Sequence, residues 1–367
     1  MGGGPALEGT TVLELSTGIP GAYCGRLLAM LGADVVKVES PRRPDEARAA
    51  GAGGERFLHA QKRSLALDID TPVGATLLER MVADTDVVLD DGALGAPADV
   101  RARYDELLVA HPRLVIASFS TYGLDGPRAG WLSTELTELA AGGFLAVGPH
   151  GGPAIMPGPP SGRCAVGTVG ALGVLLALTA RRRDGIGQLV EISAQEALLH
   201  MLTAPTVVYS FGGVEMPRLG DGYPFGIYQC TDGYLGVHVL TQGHWTALCR
   251  LMARDDLVDH PRYRTGVERA DPGVAAELDV IIAEWVRTQP AEATFHAAQV
   301  LRCPITIVPG PLAVLASAQY AAREFWVTDD DPDHGPLRLP GVPFKLASGA
   351  HAPFRSPTIV TEAEVAP

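Results

Sequence analysis

Residues 7–41 read LEGTTVLELSTGIPGAYCGRLLAMLGADVVKVESP. Two apolar runs rich in β-branched residues, TTVLELS and DVVKVES, flank Ala22–Leu31, whose apolar residues have helical spacing. A strand, a Gly/Pro turn, a helix and a second strand form the repeating unit of a parallel sheet, because parallel neighbours need a crossover between them. The alternation continues outward: PVGATLLERMVADT reads as a helix with Pro near its start, DVVLD as a strand, YDELLVAHP as a helix and RLVIASFS as a strand. The fold class this predicts is α/β, a parallel sheet with crossover helices.

From Ser133 the pattern turns helical in STELTELAAGG. A Gly/Pro loop at Val147–Arg163 leads into a long apolar helix, then a strand in GQLVEIS and a helix in AQEALLHMLTAP. Past Pro205 the character changes, with turn signals and two short strands joined through TDGY. Residues 1–205 are therefore read as the large domain and 206–305 as a small α+β domain. Residues 306–347 are read as a return to the large domain, and 348–367 as a loosely ordered, proline-rich tail.

A formal charge of −13 argues against nucleic acid or an anionic membrane as a general partner, yet leaves room for a local basic pocket. Five widely spaced cysteines without CxxC or Cys/His ligand spacing predict no metal site and fit a reducing cytoplasm. Among them, Cys24 and Cys164 read as small buried hydrophobes. The opening MGGGPALEGT has no basic stretch before an apolar core, so no signal peptide is expected. The apolar segment Ala165–Ala180, interrupted by Gly167, Gly170 and Gly173, is read as a buried helix too short to span a bilayer.

Three places could carry chemistry. Ser16, Thr17, Gly18 and Gly21 stand between a strand and a helix start, where α/β sheets hold anions, although no GxGxxG or GxxxxGK[ST] is present. Glu135 and Glu138 in STELTEL read either as first-turn acids of a helix capped by Ser133 or Thr134, or as acid/base groups. Arg163 is a lone cation at the head of the apolar helix, where the macrodipole favours an anion. It either snorkels to solvent or meets an anion. GxSxG and HExxH are absent, and His59, His150 and His200 have no sequence partner that suggests catalysis.

Residues 7–41, together with QKRSLALDIDTPVG, PRLVIASFSTYGLDGP and GIGQLVEIS followed by QEALL, resemble the family III CoA-transferases, a group that includes formyl-CoA transferases, carnitine CoA-transferases and α-methylacyl-CoA racemase. The resemblance runs from Leu7 to about Leu346. It implies a Rossmann-like large domain with a small α+β domain, an interlocked homodimer or a heterodimer with a related subunit, and CoA or acyl-CoA lying on Thr17, Gly18, Ile19 and Pro20. It also implies a nucleophilic aspartate at the start of the helix before GxGQ, which takes the acyl group as a mixed anhydride.

Counted back from Gly185, that position falls on Arg163, with Gly167 matching the family's glycine, and no acid lies between Val147 and Asp184. LDDGALG, with Asp90 and Asp91, stands where the family has Glu-Asn-Phe against CoA, and Asp70 where a basic residue is expected. Arg42, Arg43, Arg101 and Arg103 are the candidates for compensating charge. Thr134 replaces the histidine of the racemase branch. The resemblance therefore implies a transferase-like subunit without its own nucleophile. The alternative is an enzyme of specialised metabolism in which Arg163 binds a small anionic substrate and Glu135 or Glu138 serves as acid/base. A further alternative makes Glu135 a relocated nucleophile.

Overall fold

In a computed structural model, β1 (Thr11–Glu14) sits at the middle of a parallel sheet. Around it lie β2 (Asp34–Glu39), β3 (Lys62–Ala66), β4 (Val87–Asp90), β5 (Val115–Ser120) and β6 (Leu189–Ser193), in the order 3-2-1-4-5-6. Every pairing is parallel, with Val12 opposite both Val35 and Val87. The crossovers are α1 (Ile19–Met30), α2 (Glu46–Ala49) with α3 (Ala52–His59), α4 (Pro72–Ala83) and α5 (Pro97–Ala110). After β5 come α6 (Glu135–Ala141) and α7 (Ser161–Asp184), and after β6 come α8 (Ala194–Met201) and α9 (Thr203–Gly212). The structure describes residues 4–49, 51–95, 97–147, 154–158, 160–213, 215, 224–331, 335–347, 352 and 354–359; His150 and most of the tail from 348 lie outside them.

The chain divides into two units, Met1–Phe144 with Met156–Thr206 and Glu324–Pro367, and Leu145–Ile155 with Val207–Arg323. The second unit contains β7 (Phe225–Gln229), β8 (Tyr234–His238), α10 (Gln242–Leu251), α11 (Gly266–Arg269), α12 (Pro272–Val286), α13 (Ala291–Val300), β9 (Ile305–Ile307), α14 (Pro311–Leu315) and α15 (Ala318–Ala322). The small unit thus runs past the boundary at 305, because β9 is the third strand of its sheet, pairing antiparallel with β8. Its core gathers around Trp245, Leu235, Leu248 and Ile282.

The C-terminal segment returns to the first unit as an antiparallel hairpin of β10 (Trp326–Asp331) and β11 (Gly335–Pro340). A loose tail from 348 is corrected in part: β12 (Thr358–Ile359) extends the main sheet beside β3, and the Gln61 amide donates to the Arg355 carbonyl at 2.8 Å. Backbone pairing, which does not depend on side-chain polarity, orders this stretch.

β3 was not legible as a strand because KRSLA is not apolar. It is buried through charge: Lys62 Nζ lies 2.7 Å from Glu14 Oε2 on β1 and 2.8 Å from the Ala22 carbonyl. Lys37 on β2 lies 2.8 Å from Asp45 and 3.4 Å from Glu14, and donates to the Ser16 carbonyl. Two of the three lysines are thus spent on fixing the first three strands and the turn after β1.

At 24 residues α7 is long and apolar enough, by length and composition, to cross a membrane, which corrects the reading of that segment as too short. Here it packs against α1, and Gly167 permits the approach. A Cβ at Gly167 would lie 2.5 Å from the Pro20 carbonyl oxygen and 3.2 Å from the Cys24 amide nitrogen. Close packing of the two helices brings their N-termini to the same end of the sheet.

Candidate functional site

The strand order reverses between β1 and β4, so a crevice opens beyond their carboxyl ends, the usual ligand position in such sheets. A cavity of about 350 Å³ lies there, bordered by Thr17, Gly18, Glu46, Asp91, Glu138 and Arg163 among others. Two helix starts face this region, and neither caps itself. Gly18, the N-cap of α1, has no side chain, and Pro160, the N-cap of α7, has no side-chain acceptor. The first amides of a helix need partners. Carboxylates from other elements supply them.

At α1, Asp91 accepts from the Thr17 amide at 2.9 Å and the Gly18 amide at 2.6 Å, and Glu46 accepts from the Ile19 amide at 3.3 Å. Burial, and then the neighbouring Asp90, pushes the Asp91 carboxyl up to about 6, against the pull of the two amides. Asp90 itself points into the core, where Tyr104 Oη donates to it at 2.6 Å. Of the pair, therefore, only Asp91 reaches the turn.

At α7, Glu135 Oε1 accepts from the Gly162 amide at 2.9 Å and the Arg163 amide at 3.3 Å. The Arg163 guanidinium is gripped on both edges. Nε and Nη2 meet the two oxygens of Glu138 at 3.0 and 2.9 Å, and Nη1 meets both oxygens of Glu46 at 2.8 and 2.7 Å. Glu138 is buried and further fixed by the Ser133 hydroxyl at 2.7 Å, which in turn pairs with Thr121 at 2.6 Å. Burial works against the Arg163 cation, but Glu138 and Glu46 more than offset it and hold its pKa above the usual value.

Thr134 is the N-cap of α6, and its amide donates to Thr137 Oγ1 at 2.8 Å. Glu135 and Glu138 are first-turn acids, as the capping reading had it, but their carboxylates serve α7.

The other arginines singled out in the sequence are each met by a carboxylate. Arg42 pairs with Asp68 at 2.8 Å, Arg43 with Asp70 at 3.2 Å, Arg101 with Glu191 at 2.8 Å and Arg103 with Glu106 at 3.3 Å. Arg43 also donates to the carbonyl of Gly92, which borders the cavity, at 3.3 Å. Thr17, Gly18 and Pro20 border the cavity, and Ile19 turns its amide to Glu46. His59 is buried against Asp45 at 3.2 Å, away from the cavity lining. Cys164 is partly buried; burial, then Glu135, pushes its thiol up to about 11. Among the described residues no group of three His, Cys, Asp or Glu could hold a metal ion.

Residues 7–359 match the sequence profile of CoA-transferase family III. The chain belongs to CoA-transferase family III. It is 29% identical to a succinyl-CoA–D-citramalate CoA-transferase from Chloroflexus aurantiacus, over 93% of this chain and 88% of that protein. It is also 29% identical to a formyl-CoA:oxalate CoA-transferase from Streptomyces avermitilis, over 93% and 90% of the two chains. A solved CAIB/BAIF family protein from Brucella suis superposes with a TM-score of 0.83 over 97% of each chain; at 23% identity that likeness shows the fold.

Within this family III chain, sequence reasoning missed Glu46, the second carboxylate on Arg163. It also missed the aromatic wall of the cavity, where Tyr122 and Trp131 meet edge to face at 6.3 Å with Arg128 over both rings. The signal for Glu46 was indirect: a cation at a helix start with no acid nearby in sequence must find its partner on another element.

Proposed function

We propose that this family III chain is a CoA-transferase subunit that carries no acyl acceptor of its own. It would work in the cytoplasm as part of a hetero-oligomer with a related subunit that supplies the aspartate. The observation that carries this reading is the double grip on Arg163 at the start of α7. A guanidinium cannot form an acyl anhydride, and carboxylates occupy both of its edges, so the head of the helix is filled by an internal ion cluster where the family chemistry needs a free carboxylate. Acyl-CoA and a small carboxylate are the substrates, by analogy with the relatives' names. CoA at Thr17–Pro20 would have to displace Asp91 from the two amides it occupies.

The test is transferase activity of the purified chain with succinyl-CoA or formyl-CoA and a carboxylate acceptor, alone and then with a family partner bearing the aspartate. The expected result is no turnover alone and turnover in the mixture. Turnover by the chain alone, unchanged in Arg163→Ala, would refute it.

A second reading is favoured by the exposure of Glu46, whose side chain is 45% accessible. In that reading a small anionic substrate reaches Arg163, and Glu138 or Glu135 moves a proton. It predicts that Glu135→Gln or Glu138→Gln abolishes turnover of such a substrate while the chain remains folded. Undiminished turnover in both variants would reject it.

A further inference from the structure

We propose that Arg163 and the start of α1 form a subsite for a small carboxylate, and that the Glu46 side chain is a built-in plug occupying it. The two edges of the guanidinium are not equivalent. Nε and Nη2 face Glu138, which is 6% accessible and locked by Ser133, so that edge is permanently taken. Nη1 faces Glu46, which is 45% accessible, and Arg163 itself is 16% accessible. The outer edge is the exchangeable one.

Glu46 sits there as a ligand would. One carboxylate presents both oxygens to Nη1 at 2.8 and 2.7 Å, and Oε2 also accepts from the Ile19 amide at 3.3 Å, in the first turn of α1. A cation and a helix-start amide converging on one carboxylate make a recognisable anion seat. The cavity that Glu46 borders gives a free carboxylate a way in.

The backbone under Glu46 is held independently of its side chain. The Glu46 amide donates to the Thr17 carbonyl at 2.9 Å. The preceding Asp45 is buried, paired with Lys37 at 2.8 Å, and accepts from the Ala47 amide at 2.8 Å. Exchange therefore asks only for rotation of one exposed side chain into water. It conserves charge, since one carboxylate leaves as another arrives. The tethered group competes at a high effective concentration, so the intact chain shows a weakened apparent affinity for free carboxylates.

This deepens the second reading of Arg163 but requires neither turnover nor CoA, so a binding assay separates the two. The probe is sodium acetate, titrated calorimetrically at ionic strength held constant with sodium chloride. Glu46→Ala should bind acetate at least about tenfold more tightly than the unaltered chain. Adding Arg163→Met to Glu46→Ala should abolish that gain, and Glu46→Gln, which fills the seat without charge, should lie between. Circular dichroism checks that each variant is folded. Equal acetate affinity in Glu46→Ala and the unaltered chain overturns the proposal, as does a gain that survives Arg163→Met. Acetate binding as expected, with no turnover of any small carboxylate by the unaltered chain, would overturn the catalytic reading alone.

Discussion

Replacing Arg163 by methionine keeps an apolar stem of similar length and removes the charge. Glu138, 6% accessible, is then left buried with the Ser133 hydroxyl as its remaining donor. Stripping the partner from a buried carboxylate costs about 3–5 kcal/mol. Glu46, 45% accessible, simply hydrates, and a pair of that kind is worth about 0–1 kcal/mol. Two double-mutant cycles separate these quantities, Arg163→Met with Glu138→Gln and Arg163→Met with Glu46→Gln. The coupling should be about 3 kcal/mol in the first and under about 1 kcal/mol in the second. Urea titration read by hydrogen exchange of the α7 amides gives the stability of the helix concerned. A Glu46 coupling as large as that of Glu138 would refute the division into a fixed and an exchangeable edge.

Asp91 should make stability depend on pH. Its carboxyl rises from 3.8 to about 6 on folding, so the folded chain holds the proton more tightly and stability falls as pH climbs from about 4 to 6. Above that range the buried charge costs up to about 3 kcal/mol. Asp91→Asn should flatten the urea midpoint between pH 4 and 6 and raise it at pH 8; an unchanged pH profile would contradict this. Gly167→Ala places a methyl 2.5 Å from the Pro20 carbonyl oxygen, which should cost about 1–3 kcal/mol despite the better helix propensity of alanine. A lowered thermal midpoint checks it, and a raised one would show that α1 and α7 can move apart freely.

The alternation of apolar runs around residues 7–41 was enough to read the parallel sheet, because buried parallel strands are apolar on both faces. The reading failed where burial is achieved otherwise. β3 is held by Lys62 on Glu14, and β12 by backbone pairing with β3. At the site, Arg163 stood out as an anomaly because a helix start disfavours a cation. Its partners did not, since Glu46 and Glu138 lie 117 and 25 residues away and no local period connects them. The Asp90–Asp91 pair was visible as opposing charge. That only Asp91 turns to the amides of Thr17 and Gly18 depends on Tyr104 holding Asp90 in the core, a tertiary matter.

The most direct measurement is intact-mass spectrometry of the purified chain after incubation with succinyl-CoA, followed by peptide mapping. If Arg163 has displaced the acyl acceptor, the chain gains neither an acyl nor a CoA increment, and the adduct forms only on an added family partner that bears the aspartate. A covalent increment on this chain would contradict the account, and its mapping to Glu135 would make that glutamate the acyl acceptor at the head of α7.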